Sequence, residues 1–339
     1  MKHSIQFFAD IGRAQGITTT ASVAIVGALT STATVTYYHI IYFTLLSIFA
    51  HMSLNTYIAK GDTTLDLNTY VPSRNPLLDG RLTKKQAMTF VYLGTSICFL
   101  LTFLLIFVLP TITKAILAVL CFLMSYLWLV WYGWKGKRFL LSYDFSFSIS
   151  YGFWVFFGVF AIGGVPTLYT IVFLAAVVFA ATAFAQWENS IKDVDADRLV
   201  GVRSIAVVLQ VSSKKKLTIN HPYFLYGIFL KIGFILCCFF GWWLSSNTFY
   251  LLFIIGYGIP SQIFILYRFL KKQNPLDHRK TILLDVPLTG ILGFSVIFGK
   301  TGLIPIILLI AYLIIGYLVG SAVQSHCEFK FNRFSKSSS

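Results

Sequence analysis

The chain has 339 residues, of which 57% are hydrophobic, 17% aromatic and 12% charged. An ordinary soluble domain carries about 25% charged residues, so a soluble enzyme, a disordered protein and a fibrous repeat are all excluded. Lys and Arg number 27 against 12 Asp and Glu, a net charge of +15. Such a surplus marks either a phosphate-binding surface or the inner face of a membrane protein, and the placement of the charges decides between them.

A bilayer span needs roughly 20 mostly apolar residues. The chain offers ten such stretches, at 17–35, 39–58, 88–109, 112–132, 144–163, 167–190, 222–244, 247–267, 282–298 and 303–323. Met88–Leu109 carries no charge, while 282–298 is the shortest and also suits a re-entrant segment. With the N-terminus in the cytoplasm, every Lys and Arg except Lys114, Lys231 and Lys300 falls on the cytoplasmic side. That asymmetry sets the orientation, and it removes the need for a nucleic-acid partner. The expectation is an all-α, polytopic membrane helical bundle embedded in a lipid bilayer. A cytoplasmic segment 1–16 precedes a transmembrane domain 17–323 and a cytoplasmic tail 324–339. The five cysteines sit mostly inside spans and read as small packing residues.

Seven of the twelve acidic residues lie in two short stretches on the same side of the membrane. Asp62, Asp66 and Asp79 follow the second span; Glu188, Asp193, Asp195 and Asp197 follow the sixth. Asn55, Asp62 and Asp66 share one face if the second helix continues through them. Asn189, Asp193 and Asp197 stand at helical spacing on one face, followed by Arg198 and Gly201. Like charges one turn apart repel, and Mg²⁺ offsets that repulsion best, since it takes oxygen ligands from carboxylates and substrate phosphates.

Two such faces can grip a diphosphate through metal ions and neutralise it as a leaving group. A carbocation so released needs a dry cavity walled by aromatic faces, and an isoprenoid tail needs a long apolar slot. The fifth span supplies Phe145, Phe147, Tyr151, Phe153, Trp154, Phe156 and Phe157. Lys137 and Arg138, on the same side as both acidic stretches, suit the diphosphate.

These residues resemble the UbiA-type intramembrane prenyltransferases. That family's second motif, N/D-x-x-x-D-x-x-x-D-R-x-x-G-x-x-T/S, is matched at each fixed position by Asn189, Asp193, Asp197, Arg198, Gly201 and Ser204. The first motif is degenerate: Asn75-Pro76-Leu77-Leu78-Asp79-Gly80 resembles its R-P-L-P-S-G end, and counting back puts the last two carboxylates on Asp66 and Asp62. Its Asn-Asp pair would fall on Ile58-Ala59, with Asn55 one turn earlier as a substitute.

The resemblance implies a helical bundle, usually of nine spans, around a central cavity with both motifs at its cytoplasmic mouth; with the ten stretches counted here, the expectation is nine to ten transmembrane helices. It implies Asp62, Asp66, Asp193 and Asp197 as the catalytic acids, with Asn189 joining them as Mg²⁺ ligands. Asn55, Asn189, Arg198, Lys137 and Arg138 would bind substrate. The reaction so implied is transfer of a polyprenyl group from an isoprenyl diphosphate to a lipophilic acceptor, by default an aromatic quinone precursor and alternatively a lipid or carotenoid. From other classes, Lys231 and Asp285 admit a transporter reading, and the degenerate first motif admits a silent scaffold.

Overall fold

Each apolar stretch becomes a helix, because a backbone in lipid must satisfy its own N–H and C=O groups. The computed structural model describes residues 8, 10–63, 75–78, 80–140, 142–212, 218–271 and 275–335. In chain order the helices are α1 (Ile17–Thr30), α2 (Tyr37–Gly61), α3 (Lys84–Phe103), α4 (Leu105–Val108), α5 (Ile112–Trp134), α6 (Ser142–Ala161) and α7 (Leu168–Ala181). They continue with α8 (Asn189–Leu199), α9 (Ile205–Val208), α10 (His221–Ser245), α11 (Thr248–Phe253), α12 (Ile259–Lys271), α13 (Pro275–Ser295), α14 (Phe298–Thr301) and α15 (Leu303–Ser335). Two π-helical segments, Thr182–Glu188 and Ile254–Gly258, carry the chain from α7 into α8 and from α11 into α12. The described residues contain no strand, only an isolated bridge between Ser212 and Thr218.

Eight helices among the described residues are long and apolar enough to cross a bilayer. The two expected spans that fall short are α1 and α13. Helix α1 stops at Thr30 because Ser31 is extended, with φ −79° and ψ 176°. Its 14 residues reach only about 21 Å, so it sits inside the bundle instead of facing lipid, with nearly every residue from Thr20 to Ala28 buried. Small side chains make that possible, since they let neighbouring backbones approach closely. Helix α13 begins at Pro275, well before the expected 282, and carries the buried Asp285 and an internal Pro287.

Helix α6 is the hub, packed on α1, α5 and α7. Helix α2 lies against α1, α3 and α5, α10 against α7, and α15 returns to cover α1. One core gathers Phe43, Leu46, Phe122, Trp154 and Phe157; a second surrounds Trp187, Tyr223 and Phe269. Serines tie α6 to its neighbours: Ser150 Oγ lies 2.9 Å from Ser125 Oγ on α5, and Ser148 Oγ lies 2.6 Å from Thr182 Oγ1. Interhelical hydroxyl bonds of this kind hold helices together where lipid offers no hydrophobic drive. Phe107, Phe249 and Ile304 are strongly exposed on the outer surface, as lipid-facing side chains are.

Candidate functional site at the mouth of the bundle

The second acidic motif is built by a helix that starts irregularly and ends sharply. Helix α8 emerges from the π segment, a wider turn that rotates the following residues relative to α7. It ends at Gly201, whose φ of +74° is open to glycine at no steric cost. Past that turn, Val202 N–H donates to Asp197 O at 2.9 Å and Arg203 N–H donates to Lys137 O at 2.9 Å. Ser204 Oγ accepts from Val207 N–H at 3.2 Å, and Asp144 Oδ2 accepts from Ile205 N–H at 3.1 Å. The segment after the motif is thereby fastened to the start of α6 and to the tight turn Gly136–Arg138 between α5 and α6. Nothing lies within 4 Å of a side chain added at Gly201, so Gly201→Ala meets only the backbone penalty, about 1–2 kcal/mol. A lower unfolding midpoint in detergent is expected, with Gly201→Asn losing less, since Asn tolerates this conformation better.

The first motif starts where α2 ends. Asp62 is the C-cap, with φ −87° and ψ 0°, so α2 itself ends at Gly61 and carries Asn55 but not Asp62 on its helical face. The chain returns at Asn75, whose side-chain N–H donates to Ala59 O at 2.9 Å, tying the Asn75-Pro76-Leu77-Leu78 element to the end of α2. Asp66 and Asp79 lie outside the described residues. Asn55 donates to His51 O at 2.8 Å and lines the cleft below the mouth.

The first motif meets the basic turn at Lys137, to which Arg203, just past the second motif, is joined through main chain. The Lys137 ammonium is ion-paired with Asp62 Oδ1 and lies 4.9 Å from the centroid of the Tyr132 ring. Burial alone would lower the Lys137 pKa, but the Asp62 carboxylate, Tyr132 and Asp197 together raise it above the usual lysine range. Lys137 therefore stays charged through physiological pH. Tyr132 lies within electrostatic reach of Lys137, Asp62 and Asp197, and Tyr143 within reach of Asp197, Tyr132 and Asp193. Asp197 is 0% exposed, and Asp193 and Asn189 are partly buried. The Asn189 side-chain N–H donates to Phe184 O at 3.1 Å.

Two expected phosphate-binding residues lie apart from this cluster. Arg198 turns outward, with Nη1 3.1 Å from Asp195 Oδ1 and its other amino group donating to Val211 O at 2.8 Å. Arg138 is exposed in the turn beside Lys137. Sequence reading missed Tyr132, Tyr143 and Asp144, which frame the acids from the flanks of the Lys137 turn. Their proximity to that basic pair was the only available signal.

Below the mouth a narrow cleft of about 30 Å³ leaves room for roughly one water. Apolar and aromatic side chains wall it, among them Leu54, Phe122, Leu129, Phe147 and Trp154, with His51, Thr20 and Tyr151 adding polar atoms.

The intramembrane charges behind the transporter reading form a closed set. Lys231 Nζ lies 3.0 Å from Glu188 Oε1 and 2.5 Å from Asp285 Oδ2. Thr289 donates to Asp285 Oδ1 at 2.9 Å, and Gln262 donates to Thr289 at 3.1 Å. His278 Nε2 lies 3.1 Å from Glu188 O. All of these side chains are buried, so the cluster pins α13 and α10 to the π segment that leads into α8.

The UbiA prenyltransferase family model matches residues 16–286. No curated protein matches the chain in sequence. Among solved structures, a UbiA homologue from Aeropyrum pernix without ligand superposes with a TM-score of 0.66 at 19% identity, covering 84% of this chain and 98% of its own. A digeranylgeranylglyceryl phosphate synthase gives 0.61 at 18%, covering 89% and 100%. A UbiA homologue from Archaeoglobus fulgidus bound to GPP and Mg²⁺ gives 0.61 at 14%, covering 86% and 99%. At these identities the structural likenesses establish the fold, and the family match covers most of the chain. This polytopic helical bundle therefore belongs to the UbiA prenyltransferase family.

Proposed function

We propose that this protein transfers a prenyl group from an isoprenyl diphosphate to a lipophilic acceptor, at the mouth bounded by the end of α2, the Lys137 turn and α8. The observation that carries this reading is that Asp62 is ion-paired with Lys137 on the turn whose Lys137 carbonyl accepts from Arg203 N–H just past the second motif, so acids 135 positions apart in sequence share one end of the bundle. The donor set consists of hard oxygens, which fits Mg²⁺.

Asp62, Asp66, Asn189, Asp193 and Asp197 would hold Mg²⁺, which when bound supplies Lewis-acid neutralisation of the departing diphosphate. Lys137 contributes a fixed positive charge at the same place, and Arg138 a solvent-side one. Phe122, Phe147 and Trp154 present apolar and π surface to the reacting carbon and keep water from it. The aromatic walls favour a flat acceptor, an aromatic quinone precursor. A lipid alcohol is the second reading, favoured by the likeness to the digeranylgeranylglyceryl phosphate synthase. The Lys and Arg distribution supports a cytoplasmic mouth and N-terminus.

The test incubates purified protein in detergent with labelled prenyl diphosphates of several lengths and a panel of aromatic and glycerol-lipid acceptors. The expected result is pyrophosphate release and a prenylated product that require Mg²⁺ and stop with EDTA. Turnover unaffected by EDTA, or none with any donor, overturns the proposal.

A further inference from the structure

The cleft holds a series of hydrogen bonds whose direction follows from the chemistry of its members. Arg13 sits in the left-handed region, with φ 52° and ψ 57°, a strained conformation for a side-chain-bearing residue. His51 Nε2 lies 3.1 Å from the Arg13 carbonyl oxygen. A carbonyl only accepts, so Nε2 carries the proton, and Nδ1 of the neutral ring is an acceptor. Thr20 Oγ1 lies 2.9 Å from Nδ1 and therefore donates to it. Its other candidate acceptor, Gly16 O, is farther away at 3.3 Å. Tyr151 Oη lies 3.0 Å from Thr20 Oγ1. Thr20 has one proton and has spent it on His51, so Tyr151 donates to Thr20. The tyrosine oxygen is then left with accepting capacity on a residue that lines the cleft.

Gly16 makes room for this arrangement. A Cβ there would come within 2.6 Å of the imidazole Cε1 and Nε2. Among the residues lining the cleft there is no Lys, Arg, Asp or Glu. An acceptor carboxylate or phosphate held there would be left unpaired in apolar surroundings, which is strongly unfavourable.

We propose that Tyr151, Thr20 and His51 form the proton path of the transfer step, and that the acceptor is an uncharged, hydroxyl-bearing lipophilic molecule, a phenol or an alcohol. This rests on the prenyl-transfer reading above. The donor's C–O bond breaks and its electron pair leaves with the diphosphate. An electron pair of the acceptor forms the new bond to the prenyl carbon, at the hydroxyl oxygen or, in a phenol, at a ring carbon. The acceptor's O–H proton passes to Tyr151, the tyrosine proton to Thr20, and the threonine proton to His51 Nδ1. The result is an imidazolium whose Nε2–H still donates to Arg13 O. Where the new bond is to a ring carbon, that carbon's proton afterwards moves to the oxygen and restores the aromatic ring.

The experiment measures steady-state prenylation of neutral para-substituted phenols of graded acidity by the wild type, Tyr151→Phe, Thr20→Val and Gly16→Ala, with geranyl diphosphate and Mg²⁺. Both Tyr151→Phe and Thr20→Val preserve side-chain shape. For weakly acidic phenols, kcat is expected to fall about 10²-fold or more while the donor KM holds. The loss is expected to shrink steadily across the series as the neutral phenol becomes more acidic, since a more acidic hydroxyl leans less on a base. Gly16→Ala is expected to reproduce the pattern by displacing the imidazole. A loss equal across the acidity series, or wild-type turnover in Tyr151→Phe, overturns the proton path alone. Preference for carboxylated over neutral phenols overturns the acceptor assignment. A wild type that releases no pyrophosphate with any donor overturns the prenyl-transfer reading and this proposal with it.

Discussion

Asp197→Ala is expected to cut Mg²⁺-dependent pyrophosphate release by at least about 10²–10³-fold, the usual effect of removing one fixed group that stabilises developing charge. Asp197 has no exposed surface, so water cannot easily take over its role. Its backbone carbonyl also accepts from Val202 N–H at 2.9 Å, and this bond survives the substitution, so α8 and the turn after it keep their place. The effect therefore belongs to the carboxylate. Asp195→Ala is the control two residues away. Asp195 pairs with Arg198 on the outer side of α8 and lies 3.5 Å from Ser212 Oγ, so turnover close to wild type is expected there. Normal pyrophosphate release by Asp197→Ala, measured on folded protein, would remove the site from consideration.

Lys231→Met is expected to cost about 3–5 kcal/mol of stability, because it leaves two buried carboxylates without their cation. Glu188 and Asp285 are both 0% exposed, and the lysine is the cation that reaches each of them. The measurement is the thermal unfolding midpoint in detergent, which should fall sharply. The combined variant Lys231→Met, Glu188→Gln and Asp285→Asn should recover much of the loss, since removing all the charges together also removes their desolvation penalty. Equal instability of the single and the combined variant would show that packing rather than charge pairing dominates. Glu188 immediately precedes Asn189, so the single variant is also expected to loosen the start of α8.

The bundle was legible from composition because lipid permits so little else: an apolar run of sufficient length becomes a helix. The second motif was legible for a similar reason, since the spacing of Asn189, Asp193 and Asp197 repeats with the helical turn and Gly201 marks its end. The first motif was less so. Helical periodicity says nothing about where a helix stops, and α2 stops at Gly61, one residue before the acid it was expected to carry through. Asp285 was read inside an expected span, but the cation that balances it stands on a remote helix, α10, which spacing along the sequence does not show. The small residues of α1 looked like a lipid-facing span but are enclosed by protein. The pairing of Lys137 with Asp62 was out of reach because it depends on how α2 and the α5–α6 turn are brought together in space. The same holds for the imidazole–hydroxyl series, whose members lie on three separate helices or the turns before them.

The link from Arg203 N–H to the Lys137 carbonyl joins the acidic helix to the basic turn through main chain alone. The side chain at 203 can therefore change without breaking this fastening, proline excepted, since it lacks the donor.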